Sequence, residues 1–349
     1  MSKQDFKTIF DVGFSSLQHS YKKYAGTDRK ELIRGIGDDA SVIQFDESGK
    51  YLLSTSEIFL EGVHFDLVYT PLHHLGYKIM TAGVSDIFAM NGDPLFASVN
   101  IAVPNKISVN MLEEIYKGLD SAGKDYNVSI TGGDTTPSHQ ILVISLHVTG
   151  KVSDEHIVYR NGCNTEDTVC VTGDLGGAMA GLRVLLREKK AWEENQEQHF
   201  QPDLEGYEYV IQRQLRPHAR KDFPESLKKA GVHPTAMIDI TQGLFNEIQI
   251  LCEVNQTGCE IFAPAVPIAL ETRRVADEMK EDVDRYAYYG GEDFELLFTV
   301  HERDVEKLKA EFDDFTVIGK LQSQEEGIII HSGEGTTERL DPSNDSRPS

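Results

Sequence analysis

The sequence predicts two α+β domains that meet near residue 150. Its 349 residues are enough for roughly two domains of about 150 residues each. In both halves of the chain, segments with helical periodicity alternate with short apolar segments that are typical of strands. The pattern begins again after residue 150. Helices and strands that are interleaved in this way within each half are typical of α+β architecture.

The first predicted domain, 1–150, contains two amphipathic helices. One covers 72–90 and the other covers 109–126, and in both the apolar residues recur near helical spacing. The segment GGDTTPS lies between the second of these helices and the strand predicted at 140–148. It is interpreted as a loop, because most of these residue types are typical of turns. Strands are predicted at 40–45, 51–54, 62–67, 95–103 and 140–148.

The second predicted domain, 151–332, begins with a strand at 168–172, a glycine-rich turn and a helix over 178–190. The highly charged stretch 188–208 is interpreted as a solvent-exposed helix or excursion. The remaining tail, 333–349, is polar and poor in core-forming residues, so we expect its end to be disordered. Further helices are predicted at 220–230, 244–254 and 267–280, and further strands at 235–240, 258–263, 294–300 and 315–319.

The composition limits the class of partner and the compartment. With 34 basic and 57 acidic residues the net charge is −23, so we expect no binding to nucleic acid or to an anionic membrane surface. The N-terminal sequence lacks the apolar core of a signal peptide, and no segment approaches the ~20 apolar residues of a membrane span. The four cysteines include no CxxC pair and are interpreted as buried thiols in a reducing compartment. These observations predict a cytoplasmic protein.

Five motifs place carboxylates in positions that suggest more than solvation. Taken singly, each has a plainer interpretation as a helix N-cap or an Asx turn, and for GDD alone that interpretation is preferred. Together the five shift the balance toward a shared acidic site. They are GIGDDAS with Asp38 and Asp39, the run Ser54 to Glu57, VSDIFAMNGDP with Asp86, TGGDTTPS with Asp134, and MIDIT with Asp239.

Asp86 and Asp239 carry most of this argument, because both lie among apolar neighbours. A carboxylate in such a setting needs a hydrogen-bond partner, a basic side chain or a metal ion. Basic residues are scarce near the acidic motifs. Hard oxygen ligands on turns, with hydroxyls from Thr55, Ser56 or Thr135 nearby, suit Mg²⁺. The sequence therefore favours a divalent-metal site.

Two glycine-rich segments are further candidates for the functional site. VTGDLGGAMAGL runs from a strand through a turn into a helix, whose first N–H groups offer a place for an anion. Tight packing of helix on strand explains that segment equally well, and it is neither a Walker A loop nor a full dinucleotide fingerprint. The second segment, Gly290-Gly291-Glu292-Asp293, delivers two acids just before a core strand. It is interpreted as a substrate-facing turn, with a capped turn as the plain alternative.

The order of the motifs resembles one known family. GIGDDASVI, TSEIFLEGVHF, GYKIMTAGVSDIFAMNGDP, TGGDTT, VTGDLGGAMAGL, LRPHARKD, IDITQGL and GGEDFELLFTV follow one another as in thiamine-monophosphate kinases, members of the aminoimidazole ribonucleotide synthetase-like superfamily. The resemblance implies an N-terminal α+β domain whose sheet dimerises and a C-terminal α+β domain whose sheet is covered by helices. It also implies Mg²⁺-dependent phosphoryl transfer from ATP to thiamine monophosphate, which gives thiamine diphosphate and ADP.

The resemblance also assigns roles to residues of this chain. Because the acceptor phosphate is already ionised, it implies no general base, only positioning and metal ions. The implied metal ligands are Asp39, Thr55, Ser56, Glu57, Asp86, Asp134 and Asp239. The implied ATP contacts are Tyr116, Gly133, Arg160 and Thr241, and the implied contacts to thiamine monophosphate are His64 and Glu292.

The sequence departs from the family pattern at three places. Glu57 stands where the family usually has aspartate, and Gln242 stands where it has a metal-binding aspartate. No aromatic residue follows Gly319 to take the place of the family's C-terminal aromatic, and the only tryptophan is Trp192. The alternative to an active kinase is therefore a diverged nucleotide-binding paralogue of the same fold, with lost or altered kinase activity.

Overall fold

The computed structural model describes residues 29–44, 48–194, 201–333 and 335–339. Within these residues the protein has two mixed β-sheets, each packed against helices, which confirms the predicted α+β class with two domains. The first sheet ends at Ser153 and the second begins at Thr168. No helix in the described ranges is both long and apolar enough to cross a membrane.

The N-terminal sheet has six strands in the order β1-β2-β3-β6-β4-β5. Neighbouring strands are antiparallel except β4 and β5, which are parallel. Two long helices, α1 (Leu72–Ala89) and α2 (Val109–Tyr126), pack against each other, and α1 also lies on one face of the sheet. The strands are β1 Leu32–Arg34, β2 Ser41–Ile43, β3 Lys50–Leu60, β4 Asp93–Pro104, β5 Ser129–Ser138 and β6 Val143–Ser153.

The C-terminal sheet has seven strands in the order β13-β12-β9-β11-β7-β10-β8. Its neighbours are antiparallel except β12 and β9. The strands are β7 Thr168–Thr172, β8 Ala236–Asp239, β9 Thr257–Phe262, β10 Leu296–Val300, β11 Phe315–Ser323, β12 Ile328–His331 and β13 Thr337–Arg339. The helices are α3 Gly177–Glu194, α4 Glu208–Leu215, α5 Phe223–Ala230, α6 Leu244–Asn255, α7 Leu270–Met279, α8 Val283–Tyr289 and α9 Glu302–Glu311.

Apolar residues of the C-terminal sheet form separate cores on its two faces. One core contains Leu251 of α6 and Val171 of β7, and the other contains Phe223 of α5 and Phe298 of β10. Every residue of β7, β8 and β10 is buried. These three strands are apolar on both faces because helices cover both sides of the C-terminal sheet.

Several predicted elements differ from the structure. Residues 62–67, predicted as a strand, form turns, and GGDTTPS, predicted as a loop, lies in strand β5. The glycines, aspartate, proline and serine of this segment favour a turn by composition, but pairing with β4 holds the segment in a strand. In the tail predicted as disordered, residues 337–339 form β13, while 334 and 340–349 lie outside the described residues.

Candidate active site

Three aspartates from distant parts of the chain meet between the two domains. Asp39 lies in the turn before β2, Asp86 lies in α1, and Asp239 is the last residue of β8. All three are buried, and one carboxylate oxygen of each lies within 4.8 Å of the others. Two of these carboxylates therefore come from the N-terminal domain and the third from the C-terminal domain.

We call this group the aspartate triad. Burial and mutual repulsion of the carboxylates disfavour their ionised forms, and a bound cation would relieve both effects. Burial and then the negative charge of Asp239 raise the pKa of Asp86 well above its usual range. Burial and then the charge of Asp39 do the same to the pKa of Asp239. The Oδ2 atom of Asp239 is buried and has no hydrogen-bond partner among the described residues. Clustered carboxylate oxygens are donors of the kind that suit Mg²⁺.

Strand β3 brings part of its predicted motif to the triad. The hydroxyl of Thr55 donates a hydrogen bond of 2.5 Å to Oδ2 of Asp86. Burial raises the pKa of Glu57, which interacts with Asp86 as well. Ser56 is different: alternation along the strand turns its hydroxyl to the other face, where it lies 3.3 Å from Nδ1 of His147. The side chain of Ser56 is therefore not part of the group.

Arg160 lies in the segment that links the two domains and contacts the triad through Asp39. Its guanidinium contacts Asp39 through two bonds, of 3.1 Å from Nε and 2.7 Å from Nη2. Its backbone N–H donates to Asp38 at 3.1 Å. Burial, and secondly the charge of Asp39, raise the pKa of Asp38 to about 6. A bidentate contact of this kind fixes the carboxylate in one orientation.

Two residues with predicted roles, Asp134 and Tyr116, are exposed, and Asp134 is not one of the carboxylates that meet in the triad. Asp134 is exposed on β5, where its carboxylate accepts a bond from the N–H of Thr135. Tyr116 is exposed on α2. Gly133, next to Asp134, has φ +148, and a Cβ there would lie 1.8 Å from the carbonyl oxygen of Val99. Only glycine allows β5 to lie this close to β4.

The turn 290–293 approaches the N-terminal domain through Glu292. Glu292 has φ +67, and its N–H donates to the carbonyl of Thr241 at 2.9 Å. Its carboxylate lies 2.6 Å from Nζ of Lys78, a lysine of α1 that is only 3% exposed. His64 lies in the turn after β3, where Nδ1 accepts the N–H of Leu60 at 3.1 Å. The two residues expected to contact the acceptor thus belong to different domains.

The glycine-rich segment does not offer its N–H groups to an external anion. Asp293 is buried at the start of α3 and accepts bonds from the N–H groups of Gly176, at 2.8 Å, and Ala178, at 3.3 Å. A carboxylate of the chain itself therefore occupies the helix N-terminus. The sequence left anion binding and tight packing open as explanations of this segment, and internal capping by Asp293 favours packing.

Comparison with known proteins identifies the family. The model of the AIR synthase related protein N-terminal domain matches residues 37–152, and that of the C-terminal domain matches 164–332. The thiamine-monophosphate kinase of Aquifex aeolicus is 32% identical over 295 residues, which cover 84% of this chain and 88% of that protein. The chain belongs to the thiamine-monophosphate kinases of the AIR synthase related family.

Other thiamine-monophosphate kinases agree in extent and fold. The Bacillus subtilis protein is 32% identical over 279 residues, covering 79% of this chain and 80% of that one. The solved structure of AaThiL complexed with AMPPCP and TMP superposes with a TM-score of 0.78 at 27% identity, covering 96% of this chain and 97% of that chain.

One buried acid of this thiamine-monophosphate kinase was missed by sequence reasoning. Glu247 on α6 is buried, accepts the N–H of Gln242 at 3.0 Å and lies within electrostatic range of Arg160 and Asp39. Burial raises its pKa to about 7. Its spacing from Leu244 and Leu251 already places it on the buried side of the helix. The side chain of Gln242 accepts a bond from Asn246 at 3.4 Å.

Proposed function

We propose that this chain transfers the terminal phosphoryl group of ATP to thiamine monophosphate, giving thiamine diphosphate and ADP. The aspartate triad is the main support for this proposal. Its three buried carboxylates at the junction of the two domains are suited to bind cations. The same cations would neutralise the phosphate groups of the two substrates. The thiamine-monophosphate kinase relatives and the complex of AaThiL with AMPPCP and TMP support the two substrates. They do not favour the alternative of a diverged paralogue.

The residues that would hold Mg²⁺ are Asp39, Asp86 and Asp239, with Glu57 and Asp134 as further proposed ligands. Mg²⁺ bound there would neutralise the crowded phosphate oxygens and bring donor and acceptor into line. Thr55 orients Asp86, and the two bonds from Arg160 orient Asp39. No base is assigned, since the attacking phosphate oxygen of thiamine monophosphate is ionised before reaction.

The remaining site residues are proposed as substrate contacts. Arg160, Thr241, Tyr116 and Gly133 would contact ATP. His64 and Glu292 would contact thiamine monophosphate from opposite sides of the domain junction. The ion pair with Lys78, at 2.6 Å, holds the carboxylate of Glu292 against α1, and we propose that its free lone pairs accept a hydrogen bond from the acceptor.

The test is direct detection of product. Purified protein is incubated with ATP, Mg²⁺ and thiamine monophosphate, and thiamine diphosphate is separated by chromatography. We expect equal amounts of ADP and thiamine diphosphate, and neither product when EDTA replaces Mg²⁺. ATP binding without any thiamine diphosphate would refute the proposal and support the diverged paralogue.

We propose that the protein works in the cytoplasm, as its acidic composition and few cysteines predict.

We also propose that it forms a homodimer through the N-terminal sheet. Phe96 on β4 and Ile58 on β3 point to the sheet face opposite α1 and are 50% and 53% exposed. Apolar residues of this size on an uncovered sheet face are typical of an interface. We expect Ile58→Glu to halve the mass measured by light scattering, whereas Val109→Glu on α2, also exposed, leaves it unchanged. An unchanged mass for Ile58→Glu would contradict dimerisation through this face.

A further inference from the structure

A cavity of 540 Å³ lies between the two domains, at the edge of the N-terminal sheet where β3 begins and β6 ends. On the N-terminal side its lining includes Lys50 of β3 and Lys151 of β6. On the C-terminal side it includes Lys221, just before α5, and Lys228 of that helix. The volume is that of a small-molecule site.

This cavity is separate from the aspartate triad. Lys50 is the first residue of β3, and Thr55, which bonds to Asp86, comes five residues later. At about 3.3 Å per residue the two positions are about 16 Å apart. Phe88, which also lines the cavity, follows Asp86 by two residues on α1, and side chains with that spacing point to different sides of a helix. The cavity is therefore a candidate site of its own.

The lining is basic, although the chain as a whole is acidic. It contains four lysines and two acids, whereas the chain has 34 basic and 57 acidic residues. One of the two acids, Glu225, forms an ion pair of 2.8 Å with Lys229, which is not part of the lining. The other, Asp93, lies across from Lys151 in the register of β4 and β6. Both acids thus have a basic neighbour.

The other three lysines of the lining are available to a ligand. All three are exposed, and among the described residues none of them forms an ion pair. They are Lys50, Lys221 and Lys228. Lys221 donates one N–H to the carbonyl oxygen of Asp125 at 2.9 Å, which leaves two of its three donors. Amines that share a cavity without counter-charges repel one another, and an anion bound between them removes that repulsion.

The deeper part of the cavity is apolar. Phe88 and Val152 are 5% and 6% exposed, and Pro224 beside them is half-buried. Asn91 fixes one side of the lining, since its Nδ2 donates to the carbonyl of His156 at 2.7 Å. An apolar floor below a basic rim suits a ligand that combines a flat ring with phosphate groups.

We infer that this cavity binds a small organic diphosphate, with a heteroaromatic ring on the apolar floor and the phosphates between lysines of both domains. The three available lysines match the roughly three negative charges of a diphosphate ester near neutral pH. A nucleic acid also offers rings and phosphates, but the net charge of −23 opposes the approach of a long polyanion. The inference goes beyond the proposed function and does not depend on it.

Equilibrium binding in EDTA tests this site without metal-dependent binding at the triad. ADP and thiamine diphosphate both have the required chemistry, and each is titrated into the full chain in a calorimeter. We expect saturable binding of at least one of them, which identifies the ligand, weaker binding of pyrophosphate and none of adenosine. The affinity should fall as salt is added, because exposed ion pairs are screened. No binding of either diphosphate would overturn the inference.

Charge reversal shows where the diphosphate binds. Lys50→Glu and Lys228→Glu should each weaken the affinity about tenfold, because an attraction is replaced by a repulsion. The two lysines belong to different domains, so a folding defect in one variant leaves the other as the test. Lys307→Glu, exposed on α9 and outside the lining, changes the net charge equally and should keep the wild-type affinity.

Unchanged affinity in both cavity variants would place the bound diphosphate elsewhere and refute the inference. Neither measurement uses turnover. Wild-type protein without kinase activity would therefore refute the proposed function alone, and the titrations would still decide whether the cavity binds a diphosphate.

Discussion

The surroundings of Asp86 disfavour the ionised form of its side chain. It is buried in α1 beside Asp239 and Asp39, and within the described ranges no basic side chain pairs with it as Arg160 pairs with Asp39. Ionised carboxylates in such surroundings destabilise the fold unless a cation is bound. A residue retained at this cost is a functional candidate.

Asp86→Asn should separate function from stability. The asparagine oxygen can still accept the bond from Thr55, but the charge that binds metal is lost. We expect kcat to fall at least about 100-fold, while the melting temperature in EDTA stays the same or rises. Asp93→Asn, at the exposed start of β4, is the control and should leave both values unchanged. Unfolding of the Asp86 variant would indicate a structural role instead.

Glu247 should make the metal-free protein less stable at higher pH. Its pKa is raised from an ordinary 4.5 to about 7 by burial. The folded state therefore binds a proton that the unfolded state releases, and the stability gained below about pH 4.5 is lost as pH rises through 7. The shift corresponds to up to about 3 kcal/mol.

Unfolding by urea in EDTA, at about pH 5.5 and about pH 8, tests this dependence. Wild-type protein should lose more stability between the two values than Glu247→Gln does. Glu253→Gln, on the exposed side of the same helix, should behave like the wild type. Equal losses in the wild type and in Glu247→Gln would show that Glu247 is not titrating in this range.

At the scale of elements, the two helices of the N-terminal domain are held at close range by glycine. A Cβ at Gly118 of α2 would lie 1.9 Å from the carbonyl oxygen of His73, and a Cβ at Gly76 of α1 would lie 2.0 Å from that of Ile115. Because both obstacles are backbone atoms, a side-chain rotation cannot relieve them. The close contact keeps α1, and with it Asp86, in place on the sheet.

Gly118→Ala should therefore destabilise the protein although alanine favours helices. Without the contact, the substitution would stabilise a helix by roughly 0.5–1 kcal/mol. With it, we expect a loss of about 1–3 kcal/mol, measured by urea unfolding. Ser121→Ala, in the same helix, tests propensity alone and should change stability little. A stabilised Gly118 variant would mean that the helices separate without cost.

The helices that sequence periodicity predicted best are the long amphipathic ones. The predicted range 109–126 matches α2, and 72–90 ends one residue after α1. The short helices α4, α8 and α9 were not predicted, because seven to ten residues contain too few turns for a clear period. Strand β5 was missed because its pairing with β4 depends on distant residues, not on its own composition.

At the scale of the molecule, the sequence predicted the members of the aspartate triad but not their arrangement. Asp86 and Asp239 stood out because acids are rare among apolar neighbours. Arg160 forms its ion pair with Asp39, and Asp293 accepts the N–H of Gly176 in the glycine-rich turn. Both contacts join residues more than 100 positions apart. Such contacts follow from the packing of the two domains and leave no local pattern.

The position of the triad predicts that metal binding fastens the domains together. Asp239 comes from the C-terminal sheet, whereas Asp39 and Asp86 come from the N-terminal domain. Mg²⁺ that binds only the folded, docked arrangement stabilises it, by about 2.7 kcal/mol at a hundredfold excess over Kd. We therefore expect Mg²⁺ to raise the melting temperature of the wild type above its value in EDTA, with Na⁺ at equal ionic strength as the control. Asp239→Asn should lose most of that increase while it keeps the fold, because only the ligand from the second domain is removed. An equal increase in Asp239→Asn would mean that Mg²⁺ binds within the N-terminal domain alone and does not bridge the two.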